Sequence, residues 1–127
     1  IIHRFIHKIV FKASEKVTKK MPAKLINFNT LDFQTESDLE LSIYRWEERR
    51  EKLLPILQEK GLMRSATTRI WNKSGIFRLG GLLEYKDEDA YKNCLPLWQE
   101  LDKTVQEKRP RKVVSNRGVV IFDDVLR

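Results

Sequence analysis

The chain has 127 residues, 41% of them hydrophobic and 34% charged, which leaves room for one core and excludes a disordered chain or one with two independent cores. No apolar run exceeds four residues, as in Val119-Val120-Ile121-Phe122, so no segment reads as a membrane span. The single cysteine, Cys94, excludes an internal disulfide and makes a reducing, cytoplasmic setting the default.

The net charge of +7 is concentrated at the start of the chain. Residues 1–20 carry Arg4, Lys8, Lys12, Lys16, Lys19 and Lys20 against Glu15 alone, which is +5, so the other 107 residues hold only +2. A nearly balanced folded unit argues against a nucleic-acid surface, which needs basic residues clustered on the domain itself. The chain starts at Ile1 and not at methionine, as a fragment, a processed product or a read-through would. Three readings of residues 1–20 stay open. They form a basic amphipathic segment for a membrane surface or an organelle, with Ile2, Phe5, Ile6, Ile9 and Val10 at helical spacing. Alternatively, they form a helix packed on the domain, or translated non-coding sequence upstream of a true start at Met21. The expected division is therefore a leader at 1–20, which need not belong to the native protein, and one domain at 21–127.

Leu25 to Phe33 is rich in strand formers and alternates in part, which predicts a first strand. Ser37-Asp38-Leu39-Glu40 matches a capping box, and Leu39, Ile43, Trp46, Leu53 and Leu57 carry a helical stripe to Gly61, a natural helix end. Pro55 predicts a kink or break near 51–55. Leu62–Trp71 and Ile76–Tyr85 flank Asn72-Lys73-Ser74-Gly75, which predicts a hairpin. Asp87-Glu88-Asp89 opens a second helix whose stripe is Ala90, Cys94, Leu97, Trp98, Leu101 and Val105. Lys108-Arg109-Pro110-Arg111 ends it, and Val113–Phe122 is the last strand. Leu54-Pro55-Ile56-Leu57-Gln58-Glu59 and Leu95-Pro96-Leu97-Trp98-Gln99-Glu100 agree at four of six positions, 41 residues apart, as two pseudo-symmetric halves would. The result is an α+β domain of β-α-β-β-α-β order, the ferredoxin-like layout, with a four-stranded antiparallel sheet and two helices on one face.

Such a sheet has one covered and one free face. Phe77, Leu79, Leu83 and Tyr85 belong under the helices. A turn at 73–74 then pairs Arg69 with Arg78 and Trp71 with Ile76, which puts Trp71, Arg69, Arg78 and Glu84 on the free face. If Ile26 and Phe28 face the helices, Asn27 and Asn29 join them. Opposed Arg69 and Arg78 call for a carboxylate, either Glu84 or an anionic ligand, unless the two simply splay into water.

Both histidines, His3 and His7, lie in the first twenty residues. The domain therefore lacks the residues for Ser-His-Asp or Cys-His catalysis and for most transition-metal sites, and no metal or cofactor is expected. Cys94, on an apolar stripe, reads as a buried structural thiol. Gly80-Gly81 marks a bulge or a close backbone approach, and not a phosphate cradle. Trp46 and Trp98 read as core. Trp71 reads as a dimer contact or as a surface on which a ligand stacks.

The element order, with Leu82-Leu83-Glu84-Tyr85 leading into Asp87-Glu88-Asp89-Ala90-Tyr91 and on to Trp98, resembles the dimeric α+β-barrel superfamily. Within it the chain resembles NIPSNAP-type and antibiotic-biosynthesis-monooxygenase-type domains, over residues 24–125. The resemblance implies a homodimer with sheets face to face. It also implies, for some members, cofactor-independent oxygenation of polycyclic phenols held by Asn, Trp and Arg side chains. Members that bind haem do so through histidine, which this domain lacks. On this basis Asn27, Asn29, Arg69, Trp71, Arg78 and Glu84 are the expected binders of a small aromatic or anionic ligand at the free face, with no catalytic residue assigned. The alternative is a non-catalytic dimeric interaction module of NIPSNAP type. An RNA-binding version of the topology is disfavoured, because Phe77, the one aromatic of Gly75-Ile76-Phe77-Arg78-Leu79, falls on the helix side.

Overall fold

The computed structural model describes residues 24–106 and 110–126, the side chains of 104–106 excepted. The leader 1–20, the Met21 start, the Val105 side chain and the Lys108-Arg109 linker lie outside the described residues. The elements are β1 (Leu25–Phe33), α1 (Glu36–Glu59), β2 (Leu62–Arg69), β3 (Phe77–Tyr85), α2 (Glu88–Gln106) and β4 (Arg111–Val119). The strands form one antiparallel sheet in the order β2-β3-β1-β4, so the ferredoxin-like βαββαβ fold expected from the sequence is the one observed. Among the described residues no helix is long and apolar enough to cross a membrane.

Local chemistry explains where the elements start and stop. Helix α1 is capped by Thr35, whose hydroxyl accepts from the Asp38 N–H at 3.1 Å. The expected Ser37/Glu40 box is thus displaced by two residues, which leaves Glu40 free to pair elsewhere. The helix runs through Pro55 without a break. Pro55 is exposed, so the carbonyl deprived of its bond can turn to water. Gly61 follows the C-cap at φ 110° and its N–H donates to the Gln58 carbonyl at 3.0 Å. Helix α2 is capped by Asp87, whose Oδ1 accepts from the Ala90 N–H at 2.8 Å. The last strand lies a few residues earlier than the apolar run at its end, because Arg111 to Val119 is the stretch that pairs with β1.

Register decides what each strand shows to each face. Leu62 pairs with Tyr85, but Arg64 pairs with Glu84, so Met63 is an extra residue and a β-bulge. Downstream of it every side chain of β2 is inverted relative to a regular hairpin. Arg69 sits opposite Leu79, not Arg78, and Ser65, Thr67 and Arg69 point under the helices. On β1, Leu25, Leu31 and Phe33 pair with Tyr85, Leu79 and Phe77, which puts the odd-numbered residues under the helices. Asn27 and Asn29 go with them, while Ile26 and Phe28 face outward, the reverse of the expectation. Trp71 belongs to neither face. It lies in the loop after β2 and is 90% exposed.

The core falls into two clusters. Leu25, Leu57, Leu62, Leu83, Tyr85, Ala90 and Cys94 pack at one end, and Phe33, Leu39 and Leu79 at the other. The Cys94 thiol is fully buried, 3.7 Å from the Leu57 carbonyl, and burial pushes its pKa up, as suits an inert structural residue. Gly61 joins the halves at the first cluster, since a Cβ there would lie 2.3 Å from the Ala90 Cβ. Gly61→Ala combines a left-handed backbone with overpacking against α2 and is expected to cost about 2–4 kcal/mol, read as a lower midpoint in urea unfolding.

Candidate functional site

Between the two clusters the covered face runs short of apolar side chains. In this band β1 offers Asn27 and Asn29, β2 offers Ser65 and Thr67, and β3 offers Gly81. None of these reaches the helices as a Leu or Phe does, and the gap is a cavity of about 680 Å³ open to solvent between sheet and helices. That volume lies within the ~300–1,000 Å³ of small-molecule pockets.

Its polar side is a hydrogen-bonded ladder across β1 and β4. The Arg117 Nη1 donates to Asn27 Oδ1 at 3.5 Å, the Asn27 Nδ2 to Asn29 Oδ1 at 2.7 Å, and the Ser115 Oγ to the same Asn29 oxygen at 2.6 Å. Asn27 is 5% exposed, so its amide is held by these bonds, whereas the Asn29 NH₂ has no partner among the described residues. Arg117 lies 5.2 Å over the Tyr91 ring and has no carboxylate partner among the described residues. The ladder therefore presents donors and positive charge to the cavity.

Its apolar wall is aromatic. Trp46 of α1 and Trp98 of α2 meet at 5.8 Å, each half-buried and lining the cavity. The Trp98 Nε1 donates to the Tyr85 hydroxyl at 2.8 Å, and Tyr91 stands edge-on to Tyr85 at 5.5 Å. Burial raises the pKa of the Tyr85 phenol, so Tyr85 stays neutral and serves as a fixed acceptor.

The residues expected to form one site are thus divided. Asn27, Asn29 and Arg69 line the cavity, but Arg69 is held by Glu40 of α1 at 2.6 Å. Arg78 and Glu84 lie on the opposite, free face. Arg78 makes a two-pronged pair with Asp32 at 2.5 and 2.9 Å, and Glu84 lies 3.5 Å from Lys24. The carboxylate that Arg78 required is Asp32, on the neighbouring strand. Ser115, Arg117, Trp46, Trp98 and Tyr91 were not expected at the site. The signal for Arg117 and Ser115 was present, in the alternation of Arg111, Val113, Ser115 and Arg117 along β4. The tryptophans gave none, because a residue lining a cavity and one filling a core share the same helical spacing.

A four-stranded sheet with two helices over one face and a cavity beneath the helices defines a ferredoxin-like α+β domain. The chain belongs to the family described as Domain of unknown function (DUF6974), whose model matches residues 22–120. Two dimeric ferredoxin-like proteins from an uncultured marine organism are similar in structure. One is 26% identical with a TM-score of 0.72, covering 81% of this chain and 99% of its own. The other is 24% identical with a TM-score of 0.75, covering 80% and 99%. SnoaB, a cofactor-independent oxygenase from Streptomyces nogalater, shares the fold at 15% identity and a TM-score of 0.52, over 82% of this chain and 97% of its own. No curated protein matches the chain.

The Arg78 guanidinium bonded to Asp32 holds that carboxyl below its ordinary range. A depressed carboxylate pKa stabilises the fold above the unfolded-state value, and the benefit is lost as pH falls through the folded-state value. Asp32→Asn is therefore expected to lower the urea midpoint at neutral pH. The gap to the unsubstituted protein should close as the pH is lowered through the carboxylate range.

Proposed function

We propose that this domain binds a small, flat aromatic molecule bearing a carbonyl or anionic oxygen, in the cavity beneath the helices, as a homodimer. The observation that carries this is the meeting of an aromatic wall with a ladder of unspent donors at a gap in an otherwise packed face. Ring stacking on Trp46 and Trp98 supplies affinity, and the Asn29 amide and Arg117 supply direction. The pocket proposed is on the covered face and not on the free one, because Arg78, the guanidinium on the free face, is neutralised by Asp32 of its own chain.

The free face suits a second copy. Phe28, half exposed, stands there with Leu82, Ala66 and Val114, rimmed by the Arg78–Asp32 pair and by Lys112. Two such sheets face to face would cover an apolar centre that water otherwise wets. The dimeric state of similar structures supports that arrangement.

An enzymatic version of this reading is oxygenation without a cofactor, in which Arg117 and the Asn29 amide stabilise negative charge developing on a ligand oxygen. The shared fold of SnoaB favours it by analogy alone. A reducing, cytoplasmic setting fits the one buried thiol.

Native mass spectrometry of the purified chain is expected to give a dimer carrying a non-protein mass. Asn29→Ala should lose that mass at a stability cost of about 1–3 kcal/mol, since it also removes the acceptor of the buried Asn27 amide and of Ser115. A monomer would remove the face-to-face dimer. A clean dimer that takes up no aromatic ligand would favour the interaction module of NIPSNAP type.

A further inference from the structure

Gly80 and Gly81 occupy the middle of β3, a strand with partners on both sides. Glycine there weakens a strand, so each position needs a reason. For Gly80 the reason is packing on the free face. A Cβ would come 2.5 Å from Thr68 Oγ1 and 3.3 Å from Ile70 Cδ1, and the Thr68 hydroxyl lies against the Gly80 carbonyl at 3.3 Å.

None of the usual reasons applies to Gly81. Its φ is not positive; among the described residues only Gly61 and Gly75 have a positive φ. Its register is continuous with Asn29 on one side and Thr67 on the other, so it marks no bulge. A Cβ at Gly81 would meet one atom, the Asn29 Cβ, at an ordinary 3.7 Å. The backbone and the neighbours would both accept a side chain.

The position is framed on the covered face by Asn29 and Thr67 across the strands and by Leu79 and Leu83 along its own. All four line the cavity together with Gly81. We infer that Gly81 is the specificity-determining floor of the binding site, a side-chain-free seat that lets a flat ring lie against the backbone of β3 while its oxygen acceptor meets the Asn29 amide. A Leu or Val here would instead bridge the two core clusters and close the gap between them. This inference rests on the proposed binding cavity and adds the residue that sets the thickness and depth of what enters.

The test is a series on the full chain, Gly81→Ala, Gly81→Val and Gly81→Leu, beside Asn29→Ala. Hydroxynaphthoate, a flat fluorescent ring with phenolic and carboxylate oxygens, is the probe, titrated by fluorescence with thermal midpoints recorded in parallel. The expected result is affinity falling stepwise with side-chain size, by about tenfold or more at Val, while the midpoints hold or rise. Gly81→Ala keeps the test sound should the larger variants misfold, because its Cβ meets only an ordinary contact. Two results overturn the inference while the cavity reading stands: affinity lost in Asn29→Ala but unchanged across the Gly81 series, or affinity falling only in step with the thermal midpoint. If the unsubstituted protein does not bind the probe, or if neither Asn29→Ala nor the Gly81 series alters binding, the cavity reading falls and this inference with it.

Discussion

Two helices cover one face of a four-stranded sheet, and the alternation of side chains on β1 and β3 settles which residues lie beneath them. These central strands carry Leu25, Leu31 and Phe33 opposite Tyr85, Leu79 and Phe77. Burying such pairs is the main favourable term available to a domain of this size, and it forces every odd-numbered residue of both strands to the same side. Asn27, Asn29 and Gly81 are carried under the helices by their neighbours and not by their own chemistry. The cavity follows from that, because the helices rest on a cluster at each end while the band between them has nothing tall enough to fill it.

Charge is distributed to match. Arg69, Arg78 and Arg111 are engaged by Glu40, Asp32 and Asp102 respectively, each pair linking elements distant in sequence or capping the end of the sheet. The exposed Arg69–Glu40 pair adds little stability, whereas Arg78–Asp32 and Arg111–Asp102 are partly buried, and all three neutralise their guanidinium groups. Arg117 is arranged differently, resting on an aromatic ring and a neutral amide. A guanidinium placed that way keeps its charge for whatever occupies the space in front of it.

The two faces of the sheet differ in character. The covered face holds the gap and the donors, beneath the tryptophan pair of the two helices. The free face holds an apolar centre around Phe28 and Leu82 with charged groups at its margin. Separation of this kind means that a change at Phe28 does not touch Asn29 except through the backbone they share. It also accounts for the mixed composition of β1, which has no consistently polar side.

The order of elements, the extent of β1 to the residue, the acidic opening of α2 and Gly61 as a helix end were all legible in the sequence. They follow from propensity, capping chemistry and spacing, which act over a few neighbouring residues. The facing of β1 was not, because Ile26 and Phe28 compete with Leu25, Leu31 and Phe33, and only pairing with β3 decides between them. Nor was the facing of β2. Leu62-Met63-Arg64 contains no glycine or proline to announce a bulge, yet that one extra residue turns Arg69 from the free face to the covered one. Local chemistry specified which elements form and where they end. Which side chains meet across the cavity was decided by strand register, a long-range property fixed only when both partners and the helices above them are in place.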